Sequence, residues 1–525
     1  MRGPTRLLLM LVLIVSSCSL GGGSSSSSLL IEEQRTFNAQ TLSGSWEEVS
    51  AHLRYEGEHC LVYVDEEESA SIPQDTVEEI GGAFDTRAYP VVTQYFGEPY
   101  DVDGNGKVIL LLLDIQDGYS DGSSEYVAGY FDYSHLYATR TFRLSNEADM
   151  IFLDTYPGLR TAQGEIDTEA KEDLKLTMAH EFQHLVDYSE KVIRQKMSPM
   201  DTWINEGLSA AAEYLYLGKH VDWKIAYFNQ VQYLGQSYDP GEDANLWGQY
   251  FVSWGAWGDP LVNYSTVYLF FQWLRIHAGP LPTGGPEVYK QILQEPYSDY
   301  RSVVNAFNTR TGGSWTWKKL FRTWLLANLL NQSSEWYGYK DQLTDAQGTP
   351  LHLYPRFFIN LGTGTDQIYF RNSYPPFGME GDTAGKAFLY PGDAVYVKLS
   401  TSLSLTEMDP IAYGGTTLGS GDPVVKSGSS TYDTGEILIA GNVAGEPDGG
   451  DPSATATLLV PGNSGSETMV GIIDPSSPQI AWIPAKSASS SLLTPKSSSL
   501  LPSRPHPIDV LLGNGGFPVE GLRER

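Results

Sequence analysis

Cysteine is nearly absent: Cys18 and Cys60 are the only two in 525 residues. That excludes a disulfide framework and a structural zinc site built on thiolates. Basic residues are scarce as well, with 34 Lys and Arg against 64 Asp and Glu and a net charge of −30. Phosphate binding needs a basic face, so a nucleic-acid partner is set aside. Long apolar runs are missing beyond the first residues, and no later segment is long enough to span a bilayer. No internal repeat of fixed period is present. What remains is 41% hydrophobic and 12% aromatic, enough for substantial cores, over a length that implies two or three domains.

Histidine is also sparse, with nine in the chain, yet two of them stand in His180-Glu181-Phe182-Gln183-His184. Residues four apart on a helix lie one turn above each other, so both imidazoles can reach one ion with Glu181 beside it. Two nitrogen ligands and a carboxylate general base are what a zinc hydrolase needs. The preceding run, Glu169 to His180, has no Gly or Pro and is rich in helix formers. Asp167 or Thr168 can cap it, and acidic residues fill its start, where the helix dipole favours them. Leu174, Met178, Phe182 and Leu185 form an apolar stripe, and the two His fall on another face.

A catalytic zinc has three protein ligands and one open position, so a third ligand is required. Asp187 and Glu190 stand where the metzincin pattern needs glycine and histidine, which excludes that class. Downstream, Trp203-Ile-Asn-Glu206-Gly-Leu-Ser-Ala-Ala-Ala-Glu213 reads as a second helix, with Asp201 at its cap and Pro199 in the connector. Packed antiparallel on the first, it can bring Glu206 to the two His. Glu213, two turns on, shares that face and can accept a hydrogen bond from the back nitrogen of a ligand His. Read alone, both Glu could equally lie on a solvated face. The neighbouring Trp-Ile-Asn and Ala-rich stretch argue for burial, and a buried Glu needs a cation.

These segments resemble the gluzincin pattern, H-E-x-x-H followed by Asn205-Glu206-Gly207 and a second Glu at 213. The wider context is similar to the hyicolysin-type metallopeptidases and their bacterial lipoprotein relatives. It includes Asp101-Val-Asp-Gly-Asn-Gly-Lys-Val, Ser145 to Thr155, and Asn263-Tyr264-Ser-Thr-Val-Tyr268-Leu-Phe-Phe. The resemblance spans roughly residues 58 to 330. It implies zinc held by His180, His184 and Glu206, and Glu181 as the base that activates a zinc-bound water to hydrolyse a peptide bond. The implied partner is a protein or peptide substrate. Two alternatives stay open: a related aminopeptidase, and a surface-binding lipoprotein without activity. The resemblance also makes Tyr264 the first choice for stabilising the oxyanion, at the opening of an apolar helix from 264 to 276. His220 and His277 are alternatives.

The first residues carry a basic Met1 to Arg6 and a short apolar Leu7 to Val15, a signal-peptide pattern. Val15-Ser16-Ser17-Cys18 resembles a bacterial lipobox, which implies cleavage before Cys18, lipid on its thiol and anchoring to an extracytoplasmic membrane face. Residues 18–35 then read as a flexible tether. Asp101-Val-Asp103-Gly-Asn105-Gly106 matches the first half of a calcium loop, but Leu112 stands where a bidentate Glu belongs. It reads either as a tight turn, the favoured reading, or as a weak calcium site helped by Asp114. Leu61–Val64, Val108–Leu113 and Met150–Leu153 read as buried strands, Pro73–Phe96 as helical, and 168–345 as mostly helical, with a helix from Trp315 to Leu330 started by Gly312-Gly313-Ser314. The fold expected is α+β: a zincin-like metallopeptidase domain over 36–350, then a β-sandwich-like domain over 351–485 and a disordered tail over 486–525.

Overall fold

Val108–Leu113 carries six apolar residues in succession, the pattern of a strand covered on both faces. The computed structural model describes residues 33–41, 43–119, 125–228, 251–252, 260–345, 347–351 and 353, Gly392, and the backbone of short strands beyond 357. Its first half is built on β1 (Gln34–Gln40), β2 (Trp46–Glu56), β3 (Cys60–Asp65), β4 (Val108–Leu113), β5 (Glu125–Val127), β6 (Gly129–Tyr130) and β7 (Met150–Asp154). Six of these form one sheet in the order β1-β2-β3-β4-β7-β6. β3, β4 and β7 run parallel at its centre, and β6 pairs antiparallel with β7 at its end, Gly129 opposite Leu153. Alternate side chains feed two cores. Val62, Leu110, Leu112, Ile151 and Leu153 pack toward the helices, whereas Tyr63, Ile109, Leu111 and Phe152 pack with Phe37 and Val49 on the other face.

The helices are α1 (Gln74–Ala83), α2 (Tyr89–Tyr95), α3 (Thr168–Tyr188), α4 (Thr202–Leu217), α5 (Asp222–Phe228), α6 (Pro260–His277), α7 (Glu287–Gln294), α8 (Tyr300–Thr311) and α9 (Trp317–Leu330). Asp167 caps α3 by accepting from the N–H groups of Glu169 and Ala170 at 2.9 and 3.2 Å. The expected stripe of Leu174, Met178, Phe182 and Leu185 is buried. Asp201 stands at the N-cap of α4, but its carboxylate does not cap the helix. The Trp-rich helix starts later than its glycines suggest. Gly312, at φ 65°, closes α8 in the left-handed conformation, and Thr316 caps α9 through the Lys319 N–H. Among the described residues no helix is long and apolar enough to cross a membrane.

Beyond residue 357 the described backbone, the turn residue Gly392 apart, is strand. Ala394–Lys398, Ile437–Asn442, Ala456–Pro461 and Thr468–Ile473 join successively as antiparallel neighbours of one sheet. A smaller sheet pairs Lys386–Leu389, Thr365–Phe370 and Ala481–Pro484. Of the Ser- and Pro-rich tail only His506–Ile508 is described, alongside β5 in parallel. Cys18, the signal segment and most of the tether lie outside the described residues.

Candidate metal centre

His180 and His184 are one turn apart on α3, and both are buried, as is Glu181 between them. α4 packs on α3 with opposite direction, since His184 meets Asn205 and Ser209 at the start of α4 whereas His180 meets Glu213 near its end. Gly207 permits this helix to sit deep against α6. A Cβ there would lie 2.2 Å from the Phe271 ring.

The antiparallel pair brings the predicted ligands together. The Nε2 atoms of His180 and His184 lie 3.3 and 3.8 Å from one oxygen of Glu206. Ligand atoms on a tetrahedral zinc with ordinary bond lengths stand about 3.3–3.4 Å apart, so the donor set fits such an ion. Charge points the same way. Glu181, Glu206 and Glu213 are all buried, and the buried ammonium of Lys224 meets Glu213. A cation bound among buried carboxylates relieves the cost of burying their charge.

The back nitrogens are fixed by the same two helices. His180 Nδ1 is 2.8 Å from Glu213 Oε1, and His184 Nδ1 is 2.8 Å from Asn205 Oδ1 and 2.9 Å from Ser209 Oγ. Ser209 gives its own proton to Gln183 Oε1. Donation from Nδ1–H leaves each Nε2 with a lone pair facing Glu206. Burial and the neighbouring His180 hold the His184 pKa well below its ordinary value, so the ring is neutral. Burial opposes a charge on Glu213, yet Lys224 and His180 keep its carboxyl below the usual range.

Lys224, on α5, escaped the sequence reading. Its ammonium donates to both Glu213 oxygens at 2.6 and 2.7 Å and faces the rings of Trp223, Tyr264 and Tyr268. Sequence offers no signal for it, because a lone Lys on a short helix reads as solvated. Tyr264 does come to the centre, its ring centroid 6.4 Å from that of His180. It does not open its helix, however. α6 begins a turn earlier at Pro260, and Asp259-Pro260 was the readable start signal.

His220 and His277 are committed elsewhere. His220 Nε2–H donates to the Gln342 carbonyl and its Nδ1 accepts from Tyr268 at 2.8 Å. His277 bonds the Gly338 carbonyl at 2.9 Å, beside Trp273 and Trp336. Burial lowers their pKa values to about 4 and about 3.

β6 crosses the N-terminal side of this centre. A Cβ on Gly129 would lie 2.8 Å from the Thr177 methyl and 3.4 Å from Glu181 Cγ, so only glycine lets the strand pass so close to α3. The Asp101 loop lies apart, at the entrance to β4. Its carboxylates accept from loop N–H groups: Asp101 from Gly104 and Gly106, Asp103 from Asn105, and Asn105 in turn from Lys107. Asp149, missed in the sequence, joins Asp101 and Asp103 there. Asp114 does not; it stands past the far end of β4, facing Arg160 at 3.7 Å.

No protein-family model matches the chain. It is similar to the neutral metalloprotease ShpI of Staphylococcus hyicus, 33% identical over 263 residues, which make up 50% of this chain and 54% of that protein. The chain thus spans about half the length of the curated relative it matches.

Proposed function

We propose that this chain is a zinc metalloendopeptidase of gluzincin type, related to the hyicolysin-type enzymes. The observation that carries this is the convergence of both His Nε2 atoms on one Glu206 oxygen, with Glu181 buried beside them. The likeness to a metalloprotease supports it. His180, His184 and Glu206 would hold the ion. Bound there, zinc supplies Lewis acidity that polarises a carbonyl and acidifies water. Glu181 takes the proton from the attacking water and returns it to the leaving amine. Glu213 and Asn205 hold the two rings in the tautomer that ligation requires. Tyr264 stabilises the developing oxyanion. The substrate strand lies extended along β6, whose close passage over Glu181 suits this role.

The finer organisation follows the sequence reading. Residues 1–17 are a lipoprotein signal, Cys18 carries lipid, and 18–33 tether an extracytoplasmic body to the membrane, the expected tether of 18–35 being shortened because Gln34 and Arg35 already pair in β1. Cys60 is buried with its Sγ directed at the Gly81 carbonyl, and is no rival for modification. Residues 36–350 are the zincin-like catalytic domain, 351–485 a β-sandwich-like module and 486–525 a Ser- and Pro-rich tail, of which His506–Ile508 pairs with β5 rather than being disordered. Calcium at Asp101, Asp103 and Asn105 would stiffen the entrance to β4, with Asp149 adding a carboxylate.

Metal analysis of the purified protein together with Glu181→Gln tests the reading. Near-stoichiometric zinc and chelator-sensitive cleavage of an unfolded protein are expected. The variant should retain zinc and lose at least about 100-fold in rate. A protein without bound metal, or a fully active Glu181→Gln, would overturn it.

A further inference from the structure

A cavity of about 210 Å³ opens beside the segment that continues β6, lined by Trp46, Asp132, Tyr133, Ser134, Phe142 and Leu144, with exposed Arg143 at its mouth. Its walls are mostly aromatic and aliphatic. Two polar groups interrupt them. Asp132 is buried, and one of its oxygens accepts the Ser134 N–H at 2.8 Å. Ser134 is 8% exposed as a residue, and its Oγ has essentially no accessible surface, so its hydroxyl does not face the open space.

The cavity's distance from the base can be gauged along α3. Gly129 abuts Glu181, while Tyr133 stacks on Tyr188 with ring centroids 4.9 Å apart. Glu181 and Tyr188 are seven residues apart on one helix, hence about 10 Å. An extended peptide covers that distance in about three residues. The chain from β6 toward Tyr133 runs in the same direction as α3 does from Glu181 to Tyr188. A peptide antiparallel to β6 therefore lays its N-terminal part over the cavity. Size suits an aromatic ring, since an engineered cavity of about 150 Å³ already admits benzene.

We infer that this cavity is a specificity subsite for an aromatic side chain at the third substrate residue N-terminal to the scissile bond. The inference rests on the peptidase reading above. The ring fills the space between Trp46, Tyr133 and Phe142. Acidic side chains are rejected by the Asp132 carboxylate.

Fluorogenic peptides that differ only at that position, carrying Tyr, Phe, Gly or Asp, test it on the full chain. Expected is kcat/KM at least about tenfold higher for Tyr and for Phe than for Gly, and Asp lowest. Ser134→Leu and Leu144→Trp, at two of the lining residues, should each collapse the ratio of Tyr to Gly. A flat profile in the parent, or an aromatic preference that survives both filled variants, overturns the subsite while leaving the peptidase intact. If no peptide is cleaved in a chelator-sensitive way, the peptidase reading itself fails and the subsite falls with it.

Discussion

Lys224 is the residue whose role is least visible from the motif. Without its ammonium, Glu213 would still face the His180 ring but lose the charge that offsets its own. Its grip on His180 would then loosen, and orientation of a ligand ring is commonly worth 10–100-fold in metal affinity. Lys224→Met should weaken zinc binding by about that factor in a chelator-competition assay, and Lys224→Arg should recover part of it. Unchanged affinity in a folded Lys224→Met would remove Lys224 from the centre. His277 provides a contrast, a buried His that lies outside the proposed centre and bonds the Gly338 carbonyl. Its pKa falls from the ordinary 6.5 to about 3 in the fold. As pH drops below 6.5 the unfolded chain takes up a proton that the native ring refuses, so native stability falls on acidification. Gln at this position keeps the N–H donated to Gly338 and does not titrate. Relative to the parent, His277→Gln should gain about 2 kcal/mol between pH 6.5 and 5, measured by denaturant unfolding at both values.

Among the elements, α4 does most to build the centre, and its fit depends on Gly207. A methyl group there meets the Phe271 ring at 2.2 Å. Overpacking of this kind costs about 1–3 kcal/mol. Gly207→Ala should lower the unfolding free energy by that amount, and Phe271→Leu in the same chain should restore part of it. If the two changes prove additive, the contact is not the cause. α3 and α4 were legible because their information is local. The four-residue spacing of His180 and His184, the stripe from Leu174 to Leu185 and the spacing of Glu206 and Glu213 all repeat with the helix period. Helix starts were less secure: Pro260 and Thr316 carried the true signals, while Tyr264 and the glycines at 312 and 313 drew the reading away. Gly312 proved to end one helix rather than begin the next.

At the scale of the molecule, what the sequence hid is what distant segments assemble. Asp149 reaches the Asp101 loop because β7 lies beside β4, a pairing without local signature. Trp46 meets Ser134 and Phe142 at one cavity because the start of β2 comes round to the end of the sheet. Strand identity was readable in Val108–Leu113 from its unbroken apolar run, but strand order was not. The proposed chemistry and the proposed recognition thus come from different stretches of chain. Every proposed ligand, the base and the groups that orient the ligands fall between His180 and Lys224, on α3, α4 and α5. β6 and the cavity belong to residues 46 to 144. Such a division makes the proposed ligation a portable cassette: the recognition half can drift, or be exchanged by design, toward new peptides while the same contiguous stretch keeps the proposed ligands together.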